Sequence, residues 1–310
     1  MPDDGNPLLK RRRLAAVLRE YRQRAGLNLD EVAENLYCST TKISRLENAQ
    51  RPANPRDVRD LCNLYGVPED RREELMALAK ASREPGWWEA YDLSDSYVRY
   101  IGHEAAASAI RDYKSQVVNG LLQTEEYAYA LTAGYFSPVD PLVVGRLTDA
   151  RMRRQQLFFA REPLPTMHFL LDEVALHRPI GGARTMADQL RRMIELGRTP
   201  EITIQIVPLA AGAHAGLETT FTILDFPDDS MPSVVNAYDI FGEVHLERPH
   251  EVEQSNQVFD RVAAMALDPP GSERLLAEVS EQYEAKAASI DEPSGDGADH
   301  VDEAGAGEGR

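Results

Sequence analysis

The segment Leu27–Asn48 places the tightest constraint on how this chain of 310 residues can fold. It holds two short apolar stripes at helical spacing, which consist of Val32, Ala33 and Leu36, then Ile43 and Leu46. Only the polar turn at residues 37–39 separates the two stripes. Two helices this short, joined this tightly, must cross at a steep angle, and the small side chain of Ala33 permits close approach. The segment therefore predicts a helix-turn-helix.

Capping residues around this segment mark where helices begin. Asn28 with Glu31 three residues later is typical of a capping box, and Ser39 is a favourable N-cap. Asn54 followed by Pro55 marks another helix start. The whole pattern predicts helices at about residues 10–25, 29–36, 40–48, 55–65 and 69–82. We therefore predict an all-helical domain over residues 10–82, preceded by a flexible tail at residues 1–9.

A helix-turn-helix presents the N-terminal half of its second helix to the major groove of DNA. The residues that this geometry turns toward base edges and nearby phosphates are Ser39, Thr40, Thr41, Lys42 and Arg45. Arg51 and a basic run suit phosphates, which fix register without reading sequence; the run is Lys10, Arg11, Arg12 and Arg13. The alternative is a helical bundle with an exposed polar helix. The stripes, turn, caps and basic residues together favour DNA binding.

Charge is divided unevenly along the chain, whose formal net charge is −17. Residues 1–84 contain 16 Lys and Arg against 14 Asp and Glu, whereas the remainder contains 18 against 37. Proteins bind duplex DNA largely because their basic side chains neutralise its phosphates. DNA is therefore expected on the N-terminal segment, and the acidic remainder should repel it.

Residues 11–66 resemble the Xre family, the lambda-repressor-like helix-turn-helix proteins. The resemblance rests on Ala25-Gly26-Leu27, Val32-Ala33, Ile43-Ser44-Arg45-Leu46-Glu47-Asn48 and Leu64-Tyr65-Gly66-Val67. It implies groove-facing roles for Thr40, Thr41, Lys42 and Arg45. This chain departs from the family pattern at Leu29, where many members have a DNA-contacting glutamine, and at Tyr37 and Ala49, which replace glycines common at helix ends.

Beyond residue 82 the pattern changes twice. Residues 83–96 are predicted to be a linker, and residues from 97 to about 157 read as helical. Short β-branched or aromatic segments then predict strands at Thr166–Val174, Glu201–Val207, Thr219–Phe226, Val234–Ile240 and Glu243–Glu247. Further helices are predicted at about residues 185–197, 249–267 and 272–288. The predicted fold class is α+β, with the helical domain followed by a mixed α/β regulatory domain at residues 97–288 and a disordered acidic tail at residues 289–310.

Residues 86–283 resemble the uncharacterised domain that follows an Xre helix-turn-helix in many regulators of Streptomyces and other actinomycetes. The motifs that carry the resemblance are Gly86-Trp87-Trp88, Tyr100–Ala105, Gly120–Ala128, Leu171-Asp172-Glu173, Arg178–Gly182 and Gly212–Gly216. The resemblance implies a regulator of development or secondary metabolism, often with a small partner protein encoded beside it. It implies no ligand and no catalytic residue.

Five residues of this region are candidates for contact with a ligand or partner. Trp87 and Trp88 suit packing between domains or a partner interface. Gln123 and Tyr127 would line a partner groove, although a capped helix start explains their motif without one. His214 lies in a glycine-flanked loop, where it would contact a ligand or gate a pocket.

The sequence favours a cytoplasmic transcriptional regulator that binds double-stranded DNA as a homodimer, under the control of a small partner protein or a small-molecule effector. The partner protein is the first choice, because no set of charged or aromatic ligand-binding residues converges. The alternative is a DNA-tethered hydrolase or transferase. The sequence shows no nucleophile–base arrangement, metal motif or cofactor loop, so we expect no enzyme activity, metal or cofactor. Cys38 and Cys62 form no CxxC pair, and no signal peptide or membrane span is expected.

Overall fold

The computed structural model describes residues 7–136, 138–227, 232–239 and 242–291. Residues 1–6 of the predicted N-terminal tail and residues 292–310 of the predicted acidic tail lie outside the described residues. Residues 289–291 continue the last helix, so the prediction that they belong to a disordered tail was wrong. Within the described ranges, no helix combines the length and the apolar character needed to cross a membrane. Cys38 and Cys62 are both free thiols.

Five helices form the N-terminal domain. They are α1 (Pro7–Arg24), α2 (Leu29–Asn35), α3 (Thr40–Glu47), α4 (Pro55–Tyr65) and α5 (Glu69–Ala81). The bounds of α2 to α5 agree with the predicted ones to within one residue. Helix α1 begins three residues before its predicted start, so residues 7–9 are helical rather than part of a flexible tail.

The predicted N-caps are confirmed, which explains why the helix starts could be read locally. Asn28 Oδ1 accepts from the Glu31 amide at 2.9 Å, and the Glu31 carboxylate accepts from the Asn28 amide at 2.8 Å. Ser39 Oγ accepts from the Lys42 amide at 3.2 Å. These bonds satisfy amide groups that a helix cannot satisfy itself. Between the helices lies a core that includes Leu14, Leu18, Val32, Ile43, Leu46, Val58, Leu61 and Leu75.

A mixed sheet of six strands forms the second domain. The strands are β1 (Ala109–Lys114), β2 (Thr166–Asp172), β3 (Ile202–Val207), β4 (Phe221–Asp225), β5 (Val234–Asp239) and β6 (Gly242–Leu246). Their spatial order is β3-β2-β1-β4-β5-β6. Strands β1, β2 and β3 pair in parallel, and β4, β5 and β6 extend the sheet in antiparallel pairs beside β1.

The central strand β1 lies within the region predicted to be helical, so that part of the prediction was wrong. Asp112 and Lys114 share one face of β1, and their side chains bond each other at 3.2 Å. Asp112 also accepts from Thr222 Oγ1 of the neighbouring strand at 2.5 Å. Asp112 and Lys114 point to a face of the sheet that helices cover, where polar side chains can be buried because they have partners. The sequence of β1 therefore lacks the alternation of apolar and polar residues by which a strand is recognised. The five strands that were predicted are confirmed as β2 to β6.

Helices cover both faces of this sheet. The helices are α6 (Asp95–Glu104), α7 (Glu125–Ala133), α8 (Pro141–Phe159), α9 (Val174–His177), α10 (Gly182–Gly197), α11 (Pro249–Ala263) and α12 (Pro269–Asp291). Helices α6 to α10 and α12 pack on the front face, against side chains that include Ile110, Phe169 and Ile204. Helix α11 packs on the back face, where Phe259 and Val262 join Tyr113, Leu170 and Ile223.

The two domains meet where α1 packs on α6. A Cβ added to Gly102 of α6 would lie 2.5 Å from Leu8 Cδ1, so the glycine permits this close approach. Helix α6 begins at residue 95, which shortens the predicted linker. Within the linker, Trp87–Tyr91 form a single 3-10 turn. The connection is therefore short and largely structured.

Candidate nucleic-acid interface

Helix α3 buries one face in the N-terminal domain and presents the other to solvent. Ile43 and Leu46 lie in the core. On the opposite side Ser39, Thr41 and Arg45 are exposed, and so is Arg51 beyond the helix end. These four predicted DNA-contacting residues are therefore accessible. The amphipathic pattern of α3 produces the arrangement, because only one side of the helix has apolar residues to bury.

Thr40 and Lys42, the other two predicted groove-facing residues of α3, are half-buried and already bonded. Thr40 Oγ1 donates to Asp30 Oδ1 of α2 at 2.7 Å. Lys42 Nζ donates to Asp57 Oδ1 of α4 at 2.7 Å. The two contacts tie α3 to both neighbouring helices. In the absence of DNA, Thr40 and Lys42 therefore position the recognition helix.

The two positions where the family resemblance expects glycine keep the glycine conformation. Tyr37 has a φ of 50° and Ala49 a φ of 53°, both in the left-handed region. Each of the two residues lies at the end of a helix. The amide of the following residue donates to a carbonyl five residues earlier, Cys38 to the Ala33 carbonyl at 2.9 Å and Gln50 to the Arg45 carbonyl at 2.8 Å. The turn geometry is thus retained without glycine, at a conformational cost.

Replacing Ala49 with glycine should raise the free energy of unfolding by about 1 kcal/mol. A left-handed residue other than glycine costs roughly 1–2 kcal/mol, and the larger entropy of an unfolded glycine offsets part of the gain. The measurement is urea unfolding of the full chain, followed by circular dichroism. Ala77→Gly on the exposed side of α5 is the matched control and should lose about 1 kcal/mol. A loss of similar size for Ala49→Gly would contradict the strain argument.

A bidentate ion pair fixes α3 against α1. Arg22 Nε lies 2.8 Å from Glu47 Oε1, and Arg22 Nη2 lies 3.0 Å from Glu47 Oε2. Arg19 Nη2 donates to the Glu47 carbonyl and to Asn48 Oδ1, both at 2.6 Å. Hydrogen bonding to Glu47 raises the pKa of Arg22. The sequence did not predict a role for Arg19 or Arg22, and the available signal was a glutamate directly after the apolar Leu46.

The predicted basic run lies within α1, and its four members differ in environment. Lys10 and Arg11 are half-buried. Arg13 is exposed and lies 3.4 Å from Glu74. Arg12 points into the sheet domain, where its guanidinium lies 4.3 Å from the centre of the Phe226 ring and Nη2 donates to the Pro232 carbonyl at 3.1 Å. This burial corrects the prediction for Arg12, which is not free for a phosphate in this arrangement.

Gln123 and Tyr127 are buried, so the prediction that they line a partner groove was wrong. Gln123 Nε2 donates to the Val118 carbonyl at 2.7 Å, and its Oε1 accepts from Arg151 at 2.7 Å. The Tyr127 hydroxyl accepts from the Val118 amide at 3.2 Å. Burial raises the pKa of Tyr127 to about 12. Both residues anchor the loop that leads into α7.

His214 is enclosed rather than poised in an open loop. Its side chain is 2% exposed, and Nε2 lies 3.3 Å from Asp172 Oδ2. Its Nδ1 accepts from the Gly216 amide at 3.2 Å. Because both ring nitrogens are engaged, the predicted ligand contact or gate through His214 is not supported. His214 instead holds its loop against the carboxyl end of β2.

Trp87 and Trp88 pack within the connection between the domains. Their rings meet edge to face with centroids 5.9 Å apart. Trp88 is buried, and the turn that carries both residues packs on α8. Trp87 is half-buried. The predicted packing role at the domain connection therefore fits their position.

Helix α3 has one exposed face, is held to α1 by the Arg22–Glu47 ion pair, and is flanked by tight turns at Tyr37 and Ala49. This is the arrangement of a helix-turn-helix DNA-binding regulator. Residues 13–75 match the family described as a helix-turn-helix domain. Residues 97–278 match the family described as a domain of unknown function, DUF5753. This second match spans more than half of the chain, and the chain belongs to that family. No curated protein and no solved structure matches the chain.

Proposed function

We propose that this protein is a sequence-specific transcriptional regulator that acts in the cytoplasm. The observation that carries the proposal is the exposed face of α3, whose other face is buried in the domain core. Ser39 is the N-cap of this helix, Thr41 lies in its first turn and Arg45 in its last turn. Arginine reads guanine, and the hydroxyls of Ser and Thr suit several base edges. The resemblance to Xre regulators of actinomycetes supports a role in development or secondary metabolism.

The regulator is proposed to act as a homodimer. Helix α3 has eight residues, so a single copy offers few base contacts. Two copies would place their recognition helices on half-sites about one DNA turn apart, roughly 34 Å. An inverted repeat in the operator would reflect this symmetry.

The direct test is selection of genome fragments by the full chain at fixed salt concentration. Enrichment of one inverted repeat would support the proposed function, and its half-site spacing would report the dimer. Recovery of fragments without a shared sequence would contradict sequence-specific binding. An enriched site without internal symmetry would contradict the homodimer.

Arg45→Ala and Arg51→Ala should weaken DNA binding in different ways. Arg45 faces the groove, so its loss should reduce affinity for the selected site about 10- to 100-fold and leave random DNA nearly unaffected. Arg51 is assigned to phosphate, so its loss should weaken both duplexes equally. Fluorescence anisotropy with the selected and a scrambled duplex measures both effects.

The control for these two variants is Arg198→Ala. Arg198 is exposed on the sheet domain and lies 2.9 Å from Glu273, so its loss should change neither affinity. Equal losses on the selected and scrambled duplexes for both Arg45→Ala and Arg51→Ala would overturn the assignment of the two arginines.

The sheet domain is proposed to receive the controlling signal, from a small partner protein or a small-molecule effector. A cluster of exposed apolar side chains around the connection of α7 and α8 supports a partner surface; it consists of Tyr135, Phe136, Val139 and Leu142. A DNA-tethered enzyme remains the alternative function. The engagement of both His214 nitrogens argues against a general base at that residue.

A further inference from the structure

A cleft with a volume of about 1010 Å³ separates the N-terminal domain from the sheet domain. Its walls come from α1, the end of α3, α6, β6 and the start of α11. A molecule bound in this cleft would contact both domains. It would also lie beside Asn48, Ala49 and Gln50, the residues that end the recognition helix.

Three residues that line this cleft have buried side-chain nitrogens without a hydrogen-bond partner among the described residues. The Arg12 side chain is only 10% exposed, and its Nη1 atom is buried without a hydrogen-bond partner among the described residues. The rings of His103 and His245 meet edge to face at 5.4 Å. Nδ1 of His103 and both ring nitrogens of His245 are also buried without a partner in good hydrogen-bond geometry. Leaving a buried polar atom unbonded is costly, so such a cluster indicates a site for a ligand.

The unpartnered groups continue from the cleft into the sheet. Asn236 of β5 stands in register with His245 of β6. It is buried, and neither its Oδ1 nor its Nδ2 has a partner among the described residues. Because paired residues on neighbouring strands share a face, Asn236 adds an amide donor beside His245.

The charges around the cleft leave a surplus of positive charge. Four arginines and four glutamates line it, namely Arg12, Arg19, Arg99 and Arg248 with Glu20, Glu47, Glu247 and Glu251. Two of the glutamates are paired with arginines outside the lining, Glu47 with Arg22 at 2.8 Å and Glu20 with Arg24 at 2.5 Å. The other two face arginines of the lining, with Glu247 4.0 Å from Arg12 and Glu251 3.7 Å from Arg248. The surplus therefore consists of Arg19 and Arg99. A surplus of cations in a chain of net charge −17 favours an anionic ligand.

We propose that this cleft binds a small organic carboxylate, with its anionic group at Arg12, His103 and His245. The apolar part of the ligand would lie against Leu8 and Ala16 of α1, which also line the cleft. The effect on transcription rests on the proposed function, because a ligand that bridges the two domains changes how the helix-turn-helix meets DNA. Binding itself requires only the cleft.

Binding should become tighter as the pH falls from 7.5 to 6. Burial, reinforced by Arg99 and Arg12 and partly opposed by the Ser96 backbone, lowers the pKa of His245 to about 4. Burial, Arg12, His245 and Arg99 lower the pKa of His103. A bound carboxylate raises both pKa values, so binding takes up protons, and affinity rises as pH falls toward the pKa of the free histidines. The other charged groups that line the cleft are Arg19, Glu20, Glu47, Glu247, Arg248 and Glu251. Burial raises the pKa of Glu243, two residues before His245 on β6, to about 7, so its protonation in the same window removes a negative charge and acts in the same direction.

Isothermal titration of the full chain with 1-naphthoate tests the proposal, with 1-naphthamide as the uncharged isostere. Naphthoate should bind at least about tenfold more tightly than the amide, because it alone forms charge-assisted bonds. His245→Gln and Arg99→Gln should each weaken naphthoate about fivefold or more, and Arg12→Gln more strongly. Arg198→Gln on the far side of the sheet domain should leave binding unchanged.

Three outcomes would overturn the assignment: equal affinity for naphthoate and naphthamide, full affinity in both Arg12→Gln and His245→Gln, or no binding heat up to about 10 mM naphthoate at pH 6. Selection of genome fragments separates this proposal from the proposed function. If naphthoate binds and no sequence is selected, the regulator proposal fails and the cleft assignment stands. If a sequence is selected and naphthoate does not bind, only the cleft assignment fails.

Discussion

Glu104→Gln should lower the free energy of unfolding by about 3–5 kcal/mol, although the substitution preserves the shape of the side chain. Glu104 and Arg154 form a buried ion pair with side chains 2% and 6% exposed, and two bonds of 2.6 and 2.7 Å join them. Glutamine would leave the Arg154 guanidinium buried without a counter-charge, which is the costly way to break such a pair. Urea unfolding at pH 7 measures the loss.

A double substitution separates the cost of the orphaned charge from any general disruption. Glu104→Leu combined with Arg154→Met removes both charges, and its stability should lie within about 1–2 kcal/mol of the natural protein. The exposed pair Arg198–Glu273 provides the surface control, and Glu273→Gln should cost less than about 1 kcal/mol. A cost for Glu104→Gln as small as that of Glu273→Gln would contradict the prediction.

Glu47→Gln should destabilise the N-terminal domain by about 3 kcal/mol and remove specific DNA binding. The Glu47 and Arg22 side chains are 4% and 14% exposed, so the substitution leaves a largely buried arginine unpaired. The same change releases α3 from α1, and the groove-facing residues lose their fixed orientation. Circular dichroism during urea unfolding gives the stability, and anisotropy on the selected duplex under conditions where the variant stays folded gives the affinity.

Glu34→Gln is the matched control for this variant, because Glu34 is an exposed glutamate on α2. It should change stability by less than about 0.5 kcal/mol. If folded Glu47→Gln bound the selected duplex as tightly as Glu34→Gln does, the pair would not orient the recognition helix.

The N-terminal helices could be predicted closely because their signals are local. A cap such as Asn28 acts on an amide three residues away, and the apolar stripe of α3 repeats within a single helix. The exposure of Ser39, Thr41 and Arg45 follows from the same stripe. Information within a few residues was therefore sufficient for this part of the candidate interface.

The errors concern residues whose surroundings are set by distant parts of the chain. Arg12 bonds the carbonyl of Pro232, which is 220 residues away. Glu104 and Arg154 are 50 residues apart, and Asp112 and Thr222 are 110 residues apart. Polar residues with such partners look like surface residues in the sequence, which is why β1 was missed and why Gln123 was assigned to a groove.

The contact of Lys42 with Asp57 has a consequence for counterions. When a basic side chain meets a phosphate, the duplex releases a condensed cation, and each release makes binding more sensitive to salt. Lys42 and Arg13 already face Asp57 and Glu74, and Arg12 is buried. A duplex that leaves these contacts intact releases fewer cations than the seven basic residues of the predicted interface would imply. Binding should therefore persist at ionic strengths that would dissociate a complex held by all seven charges.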